Sequence, residues 1–286
     1  MNIIDGKAIS LEIKNEVRDR IASGNIDASL AVILVGSDPA SQVYVRNKKL
    51  ACEYCGIRSL SYELPEETTQ AELLELIDKL NKDRSVSGIL CQLPLSKTID
   101  EDVIIEAISP SKDVDGFSRA STGALMTGAE GFLPCTPAGI IELIKRSGIS
   151  IEGKECVVIG RSNIVGKPMA MLLLRENGTV TIAHSRTKNL KELASRADIL
   201  VVAIGKPEFI TAEYVKEGAV VIDVGIHRLD PEKNGGKKLC GDVDYDDVAP
   251  HTSYITPVPG GVGPMTIAML MSNTLKAAIY PEGHGS

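Results

Sequence analysis

The chain has no tryptophan, and aromatic residues make up only 3 % of it. Single-stranded nucleic acid binders stack bases on such rings, so that class is disfavoured. A basic surface is missing too. The formal net charge of -7 opposes phosphate-backbone binding, though it leaves room for a local basic pocket that takes a small anion. Long apolar runs are absent. The longest, such as "DILVVAIG" (Asp198–Gly205), have strand length and fall far short of a membrane span. The opening "MNIIDGKAIS" lacks a basic stretch followed by an apolar core, so no export signal is expected and a cytoplasmic location is. The four histidines, His184, His227, His251 and His284, form no ligand constellation, and no metal is assigned. Of the six cysteines only Cys52 and Cys55 form a C-x-x-C, late in an expected helix rather than at a helix start after a strand. No second pair completes a zinc site, and all are read as reduced thiols.

What is present is alternation. "SLAVILVG" (Ser29–Gly36), "GILCQLP" (Gly88–Pro94), "KECVVIG" (Lys154–Gly160), "DILVVAIG" and "GAVVIDVG" (Gly218–Gly225) read as buried strands. Helical patterns lie between them, as in Thr68–Asp83 and Asn189–Ala197. The pattern predicts an α/β fold with parallel sheets covered by helices on both faces. A stretch dense in Gly, Ser, Thr and Pro, Ile108–Pro137, reads as the junction between two α/β domains. A helix is expected just after it, capped by Thr136 with Pro137 in its first turn. The rigid "TPVPGGVGP" (Thr256–Pro264) precedes a last helical pattern.

"CVVIGRSNIVGKPMAMLLL" (Cys156–Leu174) is a strand, a loop and a helix in succession. Gly160 ends the strand, Gly166 follows, and Pro168 is expected to open the helix. Such a loop lets backbone approach a pyrophosphate, and the helix N-terminus offers unpaired N–H donors. Ser162 stands where the middle glycine of G-x-G-x-x-G would be, and Pro168 where a Walker loop carries Ser or Thr. A dinucleotide-binding Rossmann domain is the reading. A NAD site places an acid beyond the second strand of the unit. Here "HSR" (His184–Arg186) offers none, and Arg161 adds charge, which predicts NADP.

"VYVRNKK" (Val43–Lys49) sets Tyr44 and Lys48 one helical turn apart, on one face. Taken alone, the pair fits a solvated helix surface as well as a site. With "SQVYVRNKK" (Ser41–Lys49), "GILCQLPL" (Gly88–Leu95), "KDVDGF" (Lys112–Phe117), "PCTP" (Pro134–Pro137), "GRSNIVGKP" (Gly160–Pro168), "DVG" (Asp223–Gly225), "GDV" (Gly241–Val243) and "TPVPGGVGPMT" (Thr256–Thr266), the chain resembles the bifunctional methylenetetrahydrofolate dehydrogenase/methenyltetrahydrofolate cyclohydrolase family over nearly its whole length. Ser96, where many members have Pro, and "SRASTGALMTGAEGF" (Ser118–Phe132) depart from the family pattern.

The resemblance implies two α/β domains around a cleft: residues 1–136 with 265–286 as the folate-binding catalytic domain, and residues 137–264 as the NADP-binding Rossmann domain. It implies a homodimer that serves one-carbon metabolism and purine biosynthesis. Tetrahydrofolate derivatives are the expected partners, with no nucleic acid or membrane. Tyr44 resembles the ring that stacks on folate, Lys48 the catalytic lysine, Gln92 its hydrogen-bond partner and Asp115 the pterin anchor. Cys91, Leu93 and Pro259, Gly260, Gly261, Val262 and Gly263 resemble residues lining the folate site. Gly160, Arg161, Ser162, Ser185 and backbone near Ile226 resemble NADP contacts. An ammonium is disfavoured beside the cationic methenyl intermediate, so the lysine is expected to titrate nearer neutrality. Two other readings compete. Short-chain dehydrogenases also use Y-x-x-x-K, but place it downstream of the cofactor loop, the reverse of the order here. A non-enzymatic NADP sensor gives no reason for Lys48, Gln92 and Asp115.

Overall fold

The computed structural model describes residues 1–230 and 239–281. It divides into two compact units, one made of Met1–Ser10 and Thr136–Thr266, the other of Leu11–Cys135 and Ile267–Ser286. The first ten residues therefore group with the second α/β stretch. The cause is a short strand, β1 (Asn2–Ile3), that pairs in parallel with a late strand through Asn2–Tyr254 and Ile3–Ile255. His284 and the end of the chain lie outside the described residues.

The Leu11–Cys135 unit holds most of α1 (Gly6–Gly24), then β2 (Ser29–Val35), α2 (Pro39–Cys55), β3 (Arg58–Leu64), α3 (Gln70–Lys82), β4 (Gly88–Cys91), α4 (Glu101–Ala107) and α5 (Arg119–Thr127). Its strands lie in the order β3-β2-β4, all parallel. β2 is central and wholly buried, as its uninterrupted apolar run requires. Asp38 caps α2 by accepting from the Ser41 amide, Pro39 fills its first position, and Gly56 ends it at φ 75°. Thr69 and Glu72 make a reciprocal capping box on α3. β4 is flanked by Lys112–Val114, bridged in parallel at Ile89–Asp113. α5 falls inside the stretch read as a junction. Ser118 caps it and Gly128 stops it, and the apolar residues between suffice for the short helix.

The other unit continues with α6 (Cys135–Arg146), β5 (Glu155–Ile159), α7 (Gly166–Arg175), β6 (Thr179–Ala183), α8 (Leu190–Ala194), β7 (Ile199–Val202), β8 (Ala219–Asp223), β9 (His227–Arg228), β10 (Leu239–Cys240), α9 (Tyr245–Val248), β11 (Thr252–Ile255) and α10 (Val262–Ile279). A six-stranded parallel sheet runs β1-β11-β8-β7-β5-β6. α6 begins at Cys135, so Thr136 is not its cap; the Thr136 hydroxyl instead bonds that of Thr266 at 2.9 Å. α7 begins at Gly166, which puts Pro168 third in the helix, still within the turn where a missing N–H costs nothing. α10 starts in this unit and ends in the other, where Leu270, Met271, Leu275 and Ala277 join a core with Val17, Ile21, Leu30 and Val32.

Candidate active site

Open parallel sheets bind ligands outside the C-terminal strand ends, where the strand order reverses. In the Leu11–Cys135 unit the reversal lies between β2 and β4, since β3 sits on the other side of β2. Gln92 stands just beyond β4, with its amide bonded to the Ile33 carbonyl at 2.8 Å. Its side-chain amide donates to the Leu93 carbonyl at 2.7 Å, which turns the side-chain oxygen the other way. That oxygen accepts from Lys48 Nζ at 3.0 Å. Lys48 comes from α2 and is only 8 % exposed, so the amine is held at this edge and not in bulk water. Tyr44, a turn earlier on α2, is 44 % exposed, a ring with a free face.

Asp115 arrives by a different route. The parallel bridge of Asp113 to Ile89 holds the turn that carries Asp115 beside β4, near enough to Cys91 to raise its thiol. Lys112 anchors this segment by donating to the Leu80 and Asp83 carbonyls at 2.8 and 2.7 Å. Gly88 leaves room for Val114, whose side chain would meet an added Cβ at 2.5 Å. Burial pushes the Asp115 carboxyl up to about 6; nearby Asp113 adds to the rise, while the Lys48 ammonium and a hydrogen bond from Cys135 oppose it. Burial likewise drives the Cys91 thiol to about 12, with Asp115 and Glu101 reinforcing it, so this cysteine is no nucleophile at neutral pH. Cys52 and Cys55 are also buried and raised, to about 12 and about 11, which makes the C-x-x-C inert. The structure thus brings Lys48, Gln92, Cys91 and Asp115 to one sheet edge.

Two residues here were not singled out by sequence reasoning. Asn273 of α10 donates to the Val114 carbonyl at 2.8 Å and to the Leu133 carbonyl at 3.0 Å. The buried Asp113 carboxylate accepts from three backbone amides and one hydroxyl. Neither sits at a recognisable spacing. Only the fold brings their partners within reach.

In the other unit the strand order reverses between β5 and β7. Gly160 ends β5 with φ 139°, and an added Cβ would lie 2.3 Å from the Ala203 carbonyl oxygen beyond β7. Gly166 is equally confined, with the Gly160 carbonyl oxygen 2.4 Å from its would-be Cβ. Both glycines are demanded by close backbone approach. Ser162 Oγ accepts from the Val165 and Gly166 amides, each at 3.2 Å, where the loop enters α7. Arg161, Ser185 and Arg186 are exposed on the adjoining loops after β5 and β6, which the Gly160 amide ties together through the Ala183 carbonyl. His184 Nδ1 accepts from the Arg186 amide at 3.2 Å and shapes the second loop. Ile226 is 51 % exposed beyond β8. Pro259 to Gly263 leads into α10, and Gly261 packs on Gly6, where an added Cβ would overlap the Gly261 carbonyl.

Two aspartates stabilise the loops at this edge. Asp223 accepts from the amides of Gly225, Asp242 and Val243, and Asp242 from those of Ile204, Gly205 and Lys206 and from His227 Nε2 at 2.8 Å. Burial pushes Asp223 up to about 6 against the pull of those amides. An anion-accepting loop, a helix N-terminus, exposed arginines and no acid beyond β6 fit a phosphorylated dinucleotide. Among the described residues no group of three His, Cys, Asp or Glu side chains could hold a metal ion, and no helix is long and apolar enough to cross a membrane.

Comparison with known proteins agrees with this arrangement. Residues 4–115 match the catalytic-domain model of tetrahydrofolate dehydrogenase/cyclohydrolase, and residues 134–281 match its NAD(P)-binding-domain model. The bifunctional protein FolD of Agathobacter rectalis is 67 % identical over 279 residues, which cover 96 % of this chain and 98 % of that one. The crystal structure of the bifunctional FolD methylenetetrahydrofolate dehydrogenase/cyclohydrolase of Campylobacter jejuni superposes with a TM-score of 0.94 at 52 % identity, over 98 % of this chain and 99 % of that one. The Trypanosoma brucei enzyme, solved with NADP cofactor and an inhibitor, gives a TM-score of 0.92 at 38 % identity, over 98 % of both chains. With a built amine–amide–carboxylate edge in one unit and a glycine-hinged dinucleotide loop in the other, the chain belongs to the tetrahydrofolate dehydrogenase/cyclohydrolase family.

Proposed function

We propose that this enzyme oxidises 5,10-methylenetetrahydrofolate to the 5,10-methenyl cation with NADP⁺ and then hydrolyses that cation to 10-formyltetrahydrofolate. The observation that carries this reading is the 3.0 Å bond from the buried Lys48 amine to a Gln92 oxygen that is itself held in place.

Asp115 accepts the amino group and ring N–H of the pterin as two parallel hydrogen bonds. Tyr44 lays its exposed ring on the folate, a contact worth about a kcal/mol. Cys91, Leu93 and the Pro259–Gly263 segment line the folate site. Gly160, Arg161, Ser162, Ser185 and the backbone near Ile226 hold NADP. The Ser162 hydroxyl already accepts two amides, so its own O–H is the group it offers to a phosphate. Bound NADP⁺ supplies the hydride acceptor. For that step the protein's task is positioning, not proton transfer.

Hydrolysis asks more of the side chains. Gln92 fixes the Lys48 amine through one N–H, leaving the nitrogen lone pair to take a proton as water adds to the methenyl carbon. The same nitrogen then returns that proton to N5 as the bond from the one-carbon unit to N5 breaks; the hydroxyl left by water loses its proton to solvent as its oxygen becomes the formyl carbonyl on N10. One proton is released overall.

The enzyme works in the cytoplasm as a homodimer, and its formyl product feeds purine biosynthesis. The free cysteines suit a reducing compartment. The test follows NADPH and the methenyl absorbance from methylenetetrahydrofolate, then the decay of the methenyl species. In Lys48→Ala the decay falls to the uncatalysed rate; near-normal cyclohydrolase turnover in that variant overturns the role.

A further inference from the structure

We propose that Asp113 is a positioning residue for folate: its buried carboxylate holds the turn that presents Asp115, and its charge acts on the Asp115 carboxylate. This rests on the reading of Asp115 as the pterin anchor. The geometry is specific. One Asp113 oxygen accepts from the Gly116 amide at 3.1 Å and the Phe117 amide at 3.3 Å. The other accepts from the Ser118 amide at 3.0 Å and the Ser121 hydroxyl at 2.7 Å. The Asp113 carbonyl also takes the Gly116 amide at 3.0 Å. Asp115 sits inside this closed loop, so its backbone direction is set by the side chain two residues before it. Gly116, at φ 71° with its would-be Cβ 2.8 Å from the Leu133 backbone, admits no other residue at the bend.

A merely structural clamp needs no charge. An Asn in the same place accepts with one oxygen and turns its NH₂ toward the Ser118 amide, so both a bond and a charge are lost. The groups that act on Asp115 are Lys48 from α2, Asp113 on its own turn and Cys135 at the start of α6. Among these Asp113 is the negative neighbour, and it resists ionisation of Asp115. The pterin bond needs the ionised Asp115, so KM for methylenetetrahydrofolate rises as pH falls through about 6.

The experiment measures the pH dependence of KM for both substrates in the wild type, Asp113→Asn, Asp113→Glu and Asp115→Asn. In Asp113→Asn the folate KM at neutral pH rises about tenfold, the cost of a lost charge-assisted hydrogen bond. Its acid limb moves down by about half a pH unit or more, because a nearby negative charge is gone. KM for NADP⁺ is unchanged. General loosening would raise KM at all pH values without moving the limb, and an unmoved or raised limb overturns the proposal. Asp113→Glu keeps the charge but cannot keep all four bonds. Folate KM rises there with the limb in place, which makes the test independent of whether the Asn variant folds; an unchanged KM overturns the positioning role. Asp115→Asn separates the two claims. If it leaves folate KM untouched, the anchor reading itself fails. If it raises KM and abolishes the limb while Asp113→Asn moves nothing, only the role of Asp113 fails.

Discussion

At the residue scale the two candidate sites are built by opposite means. The edge proposed for folate carries one carboxylate whose ionisation is resisted by burial, and an amine whose orientation is set by a single amide. The edge proposed for NADP carries exposed positive charge and no carboxylate at the end of β6. A 2′-phosphate carries negative charge that Arg161 and Arg186 complement and that an acid would repel. NADP⁺ therefore has a specificity constant at least tenfold above that of NAD⁺, and Arg186→Glu narrows or inverts the ratio. Initial rates with both cofactors check this; a wild-type preference for NAD⁺ overturns it. Lys48, Gln92 and Asp115 were named as candidates through the family's motifs, and Arg161 through its place on the glycine loop. Neither route singled out Asp113 and Asn273, whose work is done through backbone partners that no spacing rule announces.

Among the elements, strand ends matter more than helix faces. β4 delivers Gln92, the segment bridged to β4 delivers Asp115, and β5 delivers the cofactor loop. The loop works only because Gly160 brings backbone against Ala203 and Gly166 brings it against Gly160. Gly160→Ala has no room for its methyl and a φ that L-residues rarely adopt. NADP⁺ affinity then falls by at least tenfold while Lys48-dependent hydrolysis of added methenyltetrahydrofolate persists, measured by cofactor titration and methenyl decay. Retained cofactor affinity would show that the loop tolerates the displacement. Long buried strands were plain from their apolar runs. α5 was not, because its cap and stop residues also read as loop punctuation. The edge strand β3 was missed as well, since it alternates half-exposed and exposed residues around Ser59 and Ser61.

For the molecule as a whole, the ends of the chain do not stay with their sequence neighbours. β1 completes the larger sheet, and α10 leaves that unit to finish the core of the other. Leu270 is 1 % exposed there and Met271 fully buried. Truncating such a side chain to Ala costs about 2–5 kcal/mol, a large part of a domain's stability. Leu270→Ala accordingly lowers the urea midpoint followed by far-UV circular dichroism. A midpoint within error of wild type would mean that the C-terminal helix contributes little to that core.

From the sequence alone came the alternating α/β class, the dinucleotide-binding unit, the family and a set of candidate side chains for the chemistry. Each is carried by local patterns: apolar period, glycine placement, motif order. Only the tertiary structure decided that the first strand joins the second sheet, that Gln92 spends its NH₂ on Leu93 and its oxygen on Lys48, and that Asp113 shapes the bend carrying Asp115. Those depend on which groups meet after long excursions of the chain, or on which of several available partners a side chain takes. Packing and the need to satisfy every buried polar group settle both, and neither is written in any short window of residues.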